Sequence, residues 1–121
     1  MKLHDYKNLL EYSELSPNRG KLENPDIRAF GENSLCGDSL TIHLNLKNRK
    51  ITDWKFEHQG CALSAASTAM LLDYARGKNY KKIADLPAEE LIKLLGIEVS
   101  PARLPCAILP LSIIKESQNK R

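Results

Sequence analysis

The 121-residue chain is poor in cysteine: it has three, and no two of them stand in a C-x-x-C pair. An odd number argues against a closed disulfide framework, in which cysteines come in pairs. The missing C-x-x-C removes the spacing on which zinc ribbons and thioredoxin-like sites are built. Long apolar runs are also lacking, and none approaches the roughly 20 residues that a membrane-crossing helix needs. Charge arrives at Lys2 and no apolar signal-peptide core follows, so we expect a soluble, cytoplasmic protein with no membrane partner. Charge of one sign is scarce: 18 basic residues against 15 acidic ones leave a net +3. The basic residues are dispersed, and only Lys115 to Arg121 is mildly enriched, as in a solvated end. With few aromatics to interleave, this excludes nucleic acid as the expected partner. No repeat, low-complexity tract or linker interrupts the chain. At 42% hydrophobic residues it can bury one core, so the expectation is a single domain over residues 1–121.

What is present has a clear order. Leu3, Tyr6, Leu9, Leu10 and Ser13 fall on one helical stripe over 3–15, which Ser16-Pro17-Asn18-Arg19-Gly20 stops. Residues 39–46 alternate, with Leu40, Ile42, Leu44 and Leu46 on one face and Ser39, Thr41, His43 and Asn45 on the other, as in a strand covered on one side. After the polar turn Lys47-Asn48-Arg49-Lys50, residues 51–58 alternate again, with Trp54 and Phe56 on one face, which predicts an antiparallel hairpin. Ile27 to Phe30 supplies a candidate third strand. From Cys61 to Arg76 the chain is rich in Ala, Leu and Met and predicts a helix ended by Gly77. A second helix is expected over 87–95, with Asp85 as its cap, Pro87 in its first turn and Gly96 at its end. The last helix should run from about Leu104 to Glu116. Strands followed by helices predict an α+β fold, a three-stranded antiparallel sheet with helices packed on one face.

Each cysteine lies where an element begins or ends. Cys36 belongs to the loop Leu35-Cys36-Gly37-Asp38, where Gly37 permits a tight fold that can aim the Cys36 thiolate and the Asp38 carboxylate at one ion. Cys61 follows Gly60 at a helix start, and Cys106 lies in the first turn of the last helix behind Pro105. A helix N-terminus favours negative charge by roughly 0.3–1 kcal/mol, which readies both thiols to ligate or attack. Three thiolates and one carboxylate make a four-ligand set of the kind that selects zinc or an iron–sulfur centre. The carboxylate is the weaker iron ligand and suits a centre that leaves. The spacings, 25 residues from Cys36 to Cys61 and 45 from Cys61 to Cys106, leave buried structural thiols as an open alternative.

Three segments resemble the IscU/NifU-type iron–sulfur cluster scaffold family. Cys36-Gly37-Asp38 before a strand resembles the family's C-G-D loop. Phe56-Glu57-His58-Gln59-Gly60-Cys61-Ala62-Leu63-Ser64-Ala65-Ala66-Ser67 resembles its F-x-G-x-G-C-x-I-S-x-A-S helix start. Ala102-Arg103-Leu104-Pro105-Cys106-Ala107-Ile108-Leu109 resembles its third-cysteine helix, and Pro17-Asn18-Arg19-Gly20 also matches. The 45-residue gap is that of the compact IscU type. The resemblance implies an IscU/SufE-like fold and a scaffold rather than a classical enzyme. It would take sulfur from a cysteine desulfurase, with Cys106 as acceptor, and iron and electrons from donor proteins. It would build a transient [2Fe–2S] cluster on Cys36, Asp38, Cys61 and Cys106 and pass it to apoproteins. The same four residues would hold zinc in the isolated protein. Hsp70 and J-type chaperones are further implied partners, although the match at Val99-Ser100-Pro101-Ala102-Arg103 is partial.

The sequence departs from the family at three places. Pro105 stands where IscU-type scaffolds carry a histidine, which leaves Asp38 as the fourth ligand. His58 replaces a glycine; we read it as a sheet-surface histidine, with a partial replacement for the missing imidazole as the alternative. Pro110 lies inside the last helix, where a kink or a short first segment is expected. Leu40, Ile42, Trp54 and Phe56 should be core, and Ser64 and Ser67 should mark close helix–sheet packing. Arg103 is either a solvated arginine or a lure for a sulfur anion. For Cys106 we expect a reachable thiol, and for Cys61 a more buried one against the sheet. Two other functions compete: a zinc-bound sulfur acceptor, and a small cysteine enzyme with Cys106 or Cys61 as nucleophile. The second would need a histidine base, and His4, His43 and His58 are the only candidates.

Overall fold

The structure is a computed structural model, and it describes residues 18–34 and 37–119. The helix expected over 3–15 and the residue Cys36 lie outside the described residues. Three strands, β1 (Ile27–Asn33), β2 (Asp38–Lys47) and β3 (Lys50–Gln59), form one antiparallel sheet in the order β1-β2-β3. Four helices follow: α1 (Ala62–Ala75), α2 (Tyr80–Ala84), α3 (Ala88–Leu95) and α4 (Leu104–Asn119). This is the expected α+β arrangement, and the candidate third strand extends to Asn33.

The β2–β3 turn is set by Asn48 and Arg49, both with positive φ (52° and 67°), between the paired Lys47 and Lys50. That handedness matches the twist of the strands it joins. The alternation in β3 is broken by a shift in register: Asn45 pairs with Asp53 and Leu46 with Ile51, so Thr52 is the extra residue. The bulge turns Ile51 onto the same buried face as Trp54 and Phe56, a switch that strict alternation does not give.

Leu40, Ile42, Leu44, Trp54 and Phe56 build the core from the sheet side. The opposite face is not simply solvated. His43, in the middle of the central strand between Arg28 and Lys55, is 2% exposed, and its Nε2 lies 3.0 Å from Glu57 Oε1. Covering one face of a central strand thus still leaves a buried position on the other, where Glu57 of β3 pairs with the imidazole.

Helix α1 is apolar nearly all round and buries almost every residue from Leu63 to Ala75, as a helix enclosed by other elements must. Ser67 is buried with its hydroxyl on the Ala107 carbonyl, so its small size serves packing against α4 rather than against the sheet. Helix α4 also lies against β1. A Cβ built on Gly31 would meet Ile113 Cγ1 at 2.5 Å, so the close approach of strand and helix requires a glycine there.

Two helix boundaries differ from expectation. Asp85 ends the short helix α2, which is capped at its start by Asn79 accepting from the Lys81 N–H, and Pro87 takes the N-cap position of α3. Helix α4 runs unbroken through Pro110 to Asn119. The residues around that proline, Ala107, Leu109, Leu111, Ile113 and Ile114, are all buried, so tertiary packing maintains the helix across the lost hydrogen bond.

Candidate metal centre

The antiparallel order brings the end of β1, the start of β2 and the end of β3 to one edge of the sheet. Asn33 pairs with Asp38, Ser39 with Gln59 and Leu40 with His58. Gly60 follows β3 and turns the chain into α1, with Cys61 at the N-cap. Its φ of +130° suits glycine, and its bare Cα makes room for a neighbour: a Cβ there would lie 2.1 Å from Asp38 Oδ1 and 2.8 Å from Asp38 Cα. The Gly60–Cys61 step is therefore fitted around Asp38.

Asp38 is 1% exposed. Its Oδ1 accepts the backbone N–H of Cys61 at 2.8 Å, and its Oδ2 stands 3.7 Å from Cys61 Sγ. One oxygen fastens the start of α1, and the other faces the thiol. Cys106 enters from the first turn of α4, where its N–H donates to the Arg103 carbonyl at 3.0 Å. Its sulfur receives a 3.6 Å contact from the Asn33 side-chain amide, a donor that favours negative charge on the sulfur.

One ligand atom from each of Asp38, Cys61 and Cys106 lies within 4.8 Å of the other two. Three of the four expected ligands therefore converge, and the fourth, Cys36, belongs to the two-residue gap directly before Gly37 and Asp38. The donor chemistry fits a thiophilic cation: two sulfurs and a carboxylate oxygen around one point are a set that zinc or iron takes.

The order of exposure among the thiols reverses the expectation. Cys61 is half-buried, whereas Cys106 is 2% exposed and packs with Leu63, Ala66, Leu95 and Ala107. The cause is topological. An N-cap residue at the sheet edge keeps one open side, while the inward face of α4 lies against α1 and α3. Arg103 is exposed, and the whole segment from Ser100 to Pro105 before the buried cysteine faces solvent.

His58 also departs from the sheet-surface position expected for it. It is half-buried, and its Nε2 lies 2.6 Å from Ser64 Oγ. Ser64 in turn donates to the Cys61 carbonyl at 3.1 Å and lies 3.6 Å from Cys61 Sγ. The signal was available: His58 shares parity with Trp54 and Phe56 and so points to the helix side of the sheet. Burial, helped by the Arg19 guanidinium and opposed by Asp38, holds the His58 imidazole below its ordinary pKa of 6.5. Asn33, which reaches the Cys106 sulfur, carried no sequence signal of its own.

The NifU-like N-terminal domain model matches residues 5–120. The chain belongs to this family. It is 30% identical to the iron–sulfur cluster assembly scaffold protein IscU of Thermotoga maritima, over 93% of this chain and 90% of that protein. It is 28% identical to the zinc-dependent sulfurtransferase SufU of Bacillus subtilis, over 84% of this chain and 80% of that one. Among solved structures it is similar to a candidate SUF-system cluster assembly scaffold of Fervidobacterium islandicum, with a TM-score of 0.78 at 28% identity over 97% and 98% of the two chains. Family membership agrees with the fold and with the resemblance carried by the three cysteine segments. Among the described residues, no helix is long and apolar enough to cross a membrane.

Proposed function

We propose that this protein is a scaffold that assembles a [2Fe–2S] cluster on Cys36, Asp38, Cys61 and Cys106 and hands it to apoproteins. The observation that carries the reading is the convergence of Asp38, Cys61 and Cys106 within 4.8 Å in a chain of the NifU-like family. Sulfur arrives from a cysteine desulfurase. An acceptor thiolate attacks the outer sulfur of the desulfurase persulfide, the S–S bond breaks, and the desulfurase cysteine leaves as thiolate. We assign the acceptor role to Cys106, whose sulfur has the Asn33 donor beside it. Its burial requires the exposed Ser100–Pro105 segment to shift during transfer. Cys61 is the second reading for the acceptor, because it is the more accessible of the two described thiols.

The zinc-dependent SufU relative supports a related reading, in which the same residues hold zinc and the protein relays sulfur. Zinc on these ligands would keep the thiols deprotonated and grouped. Partners follow from the chemistry: a desulfurase, suppliers of iron and electrons, and cluster-accepting apoproteins, working in the cytoplasm.

Mass spectrometry after incubation with a desulfurase and free cysteine tests the acceptor. The added sulfur should persist in Cys36→Ser and Cys61→Ser and disappear in Cys106→Ser. Disappearance only in Cys61→Ser would move the role to that residue. Anaerobic addition of iron(II) with a thiol reductant, which supplies the electrons that turn the persulfide sulfur into sulfide, should then generate the absorption of a [2Fe–2S] centre, and a protein that gains no such absorption contradicts the scaffold reading.

A further inference from the structure

Ser64 lies at the start of α1 and is fully buried, with three polar neighbours for one hydroxyl. His58 Nε2 is at 2.6 Å, the Cys61 carbonyl at 3.1 Å and the Cys61 sulfur at 3.6 Å. A hydroxyl has one proton to donate and can accept in return. With His58 donating from Nε2, the Ser64 proton is free to turn either to the carbonyl or to the sulfur. A thiol competes poorly for it, whereas a thiolate carrying full or partial negative charge accepts much more strongly. In the metal-free protein the Cys61 thiol donates to the Ser64 hydroxyl, which donates to the Cys61 carbonyl; once the sulfur is a metal-bound thiolate with no proton to give, the His58–Ser64–Cys61 chain is satisfied with donation running from imidazole to hydroxyl to sulfur.

We propose that His58 and Ser64 form a hydrogen-bonding arm that delivers the Ser64 hydroxyl to the metal-bound Cys61 sulfur and tunes that ligand. The inference rests on the metal-binding reading above and adds two positioning residues to it. Hydrogen bonds to ligating sulfurs are among the levers that set the properties of such centres, and loss of an outer partner typically weakens metal affinity by roughly 10–100-fold. A glutamine at position 58 can place its amide N–H near the imidazole Nε2 and preserve donation. An alanine cannot.

The test uses cobalt(II) as a spectroscopic probe of the whole protein. Thiolate ligation gives sulfur-to-cobalt charge-transfer bands, and a hydrogen bond to the sulfur moves them to higher energy by lowering the sulfur lone pair. Parent protein should show these bands. His58→Ala and Ser64→Ala should shift them to lower energy and weaken cobalt binding about 10-fold, while His58→Gln stays close to the parent. Circular dichroism of each variant separates loss of the arm from loss of the fold. Unshifted bands and unchanged affinity in His58→Ala overturn the proposal, as does a folded His58→Gln that behaves like His58→Ala. A parent protein with no charge-transfer band overturns the thiolate centre itself, and with it this inference, so the two failures are distinguishable.

Discussion

Asp38 accepts the backbone N–H of Cys61 at 2.8 Å through Oδ1 while Oδ2 faces the Cys61 sulfur at 3.7 Å. The same carboxylate therefore closes the start of α1 and offers a ligand. Asp38→Ala removes both and leaves the Cys61 N–H without its acceptor. It should destabilise the metal-free protein by about 1–3 kcal/mol. Asp38→Asn retains an acceptor oxygen but loses the charge. It should cost less stability and still weaken zinc binding. Urea denaturation of the metal-free variants, compared with zinc titration, separates the two roles. Equal stability loss in both variants would contradict the capping role.

Gly60 makes the centre possible through what it lacks. In Gly60→Ala the new Cβ meets Asp38 Oδ1 at 2.1 Å in a backbone conformation with φ +130°. The variant should lose metal binding and be destabilised by about 3 kcal/mol or more. Thermal unfolding and zinc titration check this, and parent-like affinity for zinc would contradict the fitted Gly60–Asp38 contact.

The β1–α4 approach predicts a coupled pair. Gly31→Ala places a methyl 2.5 Å from Ile113 Cγ1 and should cost about 1–3 kcal/mol. Ile113→Ala in the same protein should recover part of that loss. A double-mutant cycle by urea denaturation should therefore give a non-zero interaction energy, and strict additivity would refute the contact.

Much of this was legible because hydrophobic period and position carried it. The alternation over 39–46 named the buried face of β2, and the apolar Cys61–Arg76 run named α1. The Cys36-Gly37-Asp38 loop and the two helix-start cysteines pointed to the place where Asp38, Cys61 and Cys106 come together. What stayed hidden depended on neighbours distant in sequence. The register slip at Thr52 moves Ile51 into the core, the buried His43 meets Glu57 of the neighbouring strand, and the burial of Cys106 depends on which face of α4 meets α1. Asp85 resembled a cap by type and spacing, yet the unexpected helix α2 claimed it first. His58 was misplaced because its reading as a surface residue overrode its parity with Phe56.

Burial lowers the pKa of His58 in the native state. Below about pH 6.5 the unfolded chain takes up the proton before the native one, so the native state loses stability as pH falls towards the folded pKa. Above that window both states hold a neutral imidazole and His58 adds no slope. His58→Gln should therefore flatten the acid-side loss of stability of the metal-free protein. Urea midpoints measured between about pH 5 and 7.5 check it, and an identical slope in parent and variant would contradict the burial of His58.

The proposed centre brings Cys36, Asp38, Cys61 and Cys106 to one ion. X-ray absorption at the zinc edge of the zinc-loaded protein tests it most directly. Three sulfurs at about 2.3 Å and one oxygen at roughly 2.0–2.2 Å are expected, with two sulfurs remaining in Cys36→Ser. A shell of nitrogen and oxygen alone, or a sulfur count that Cys36→Ser leaves at three, would contradict it.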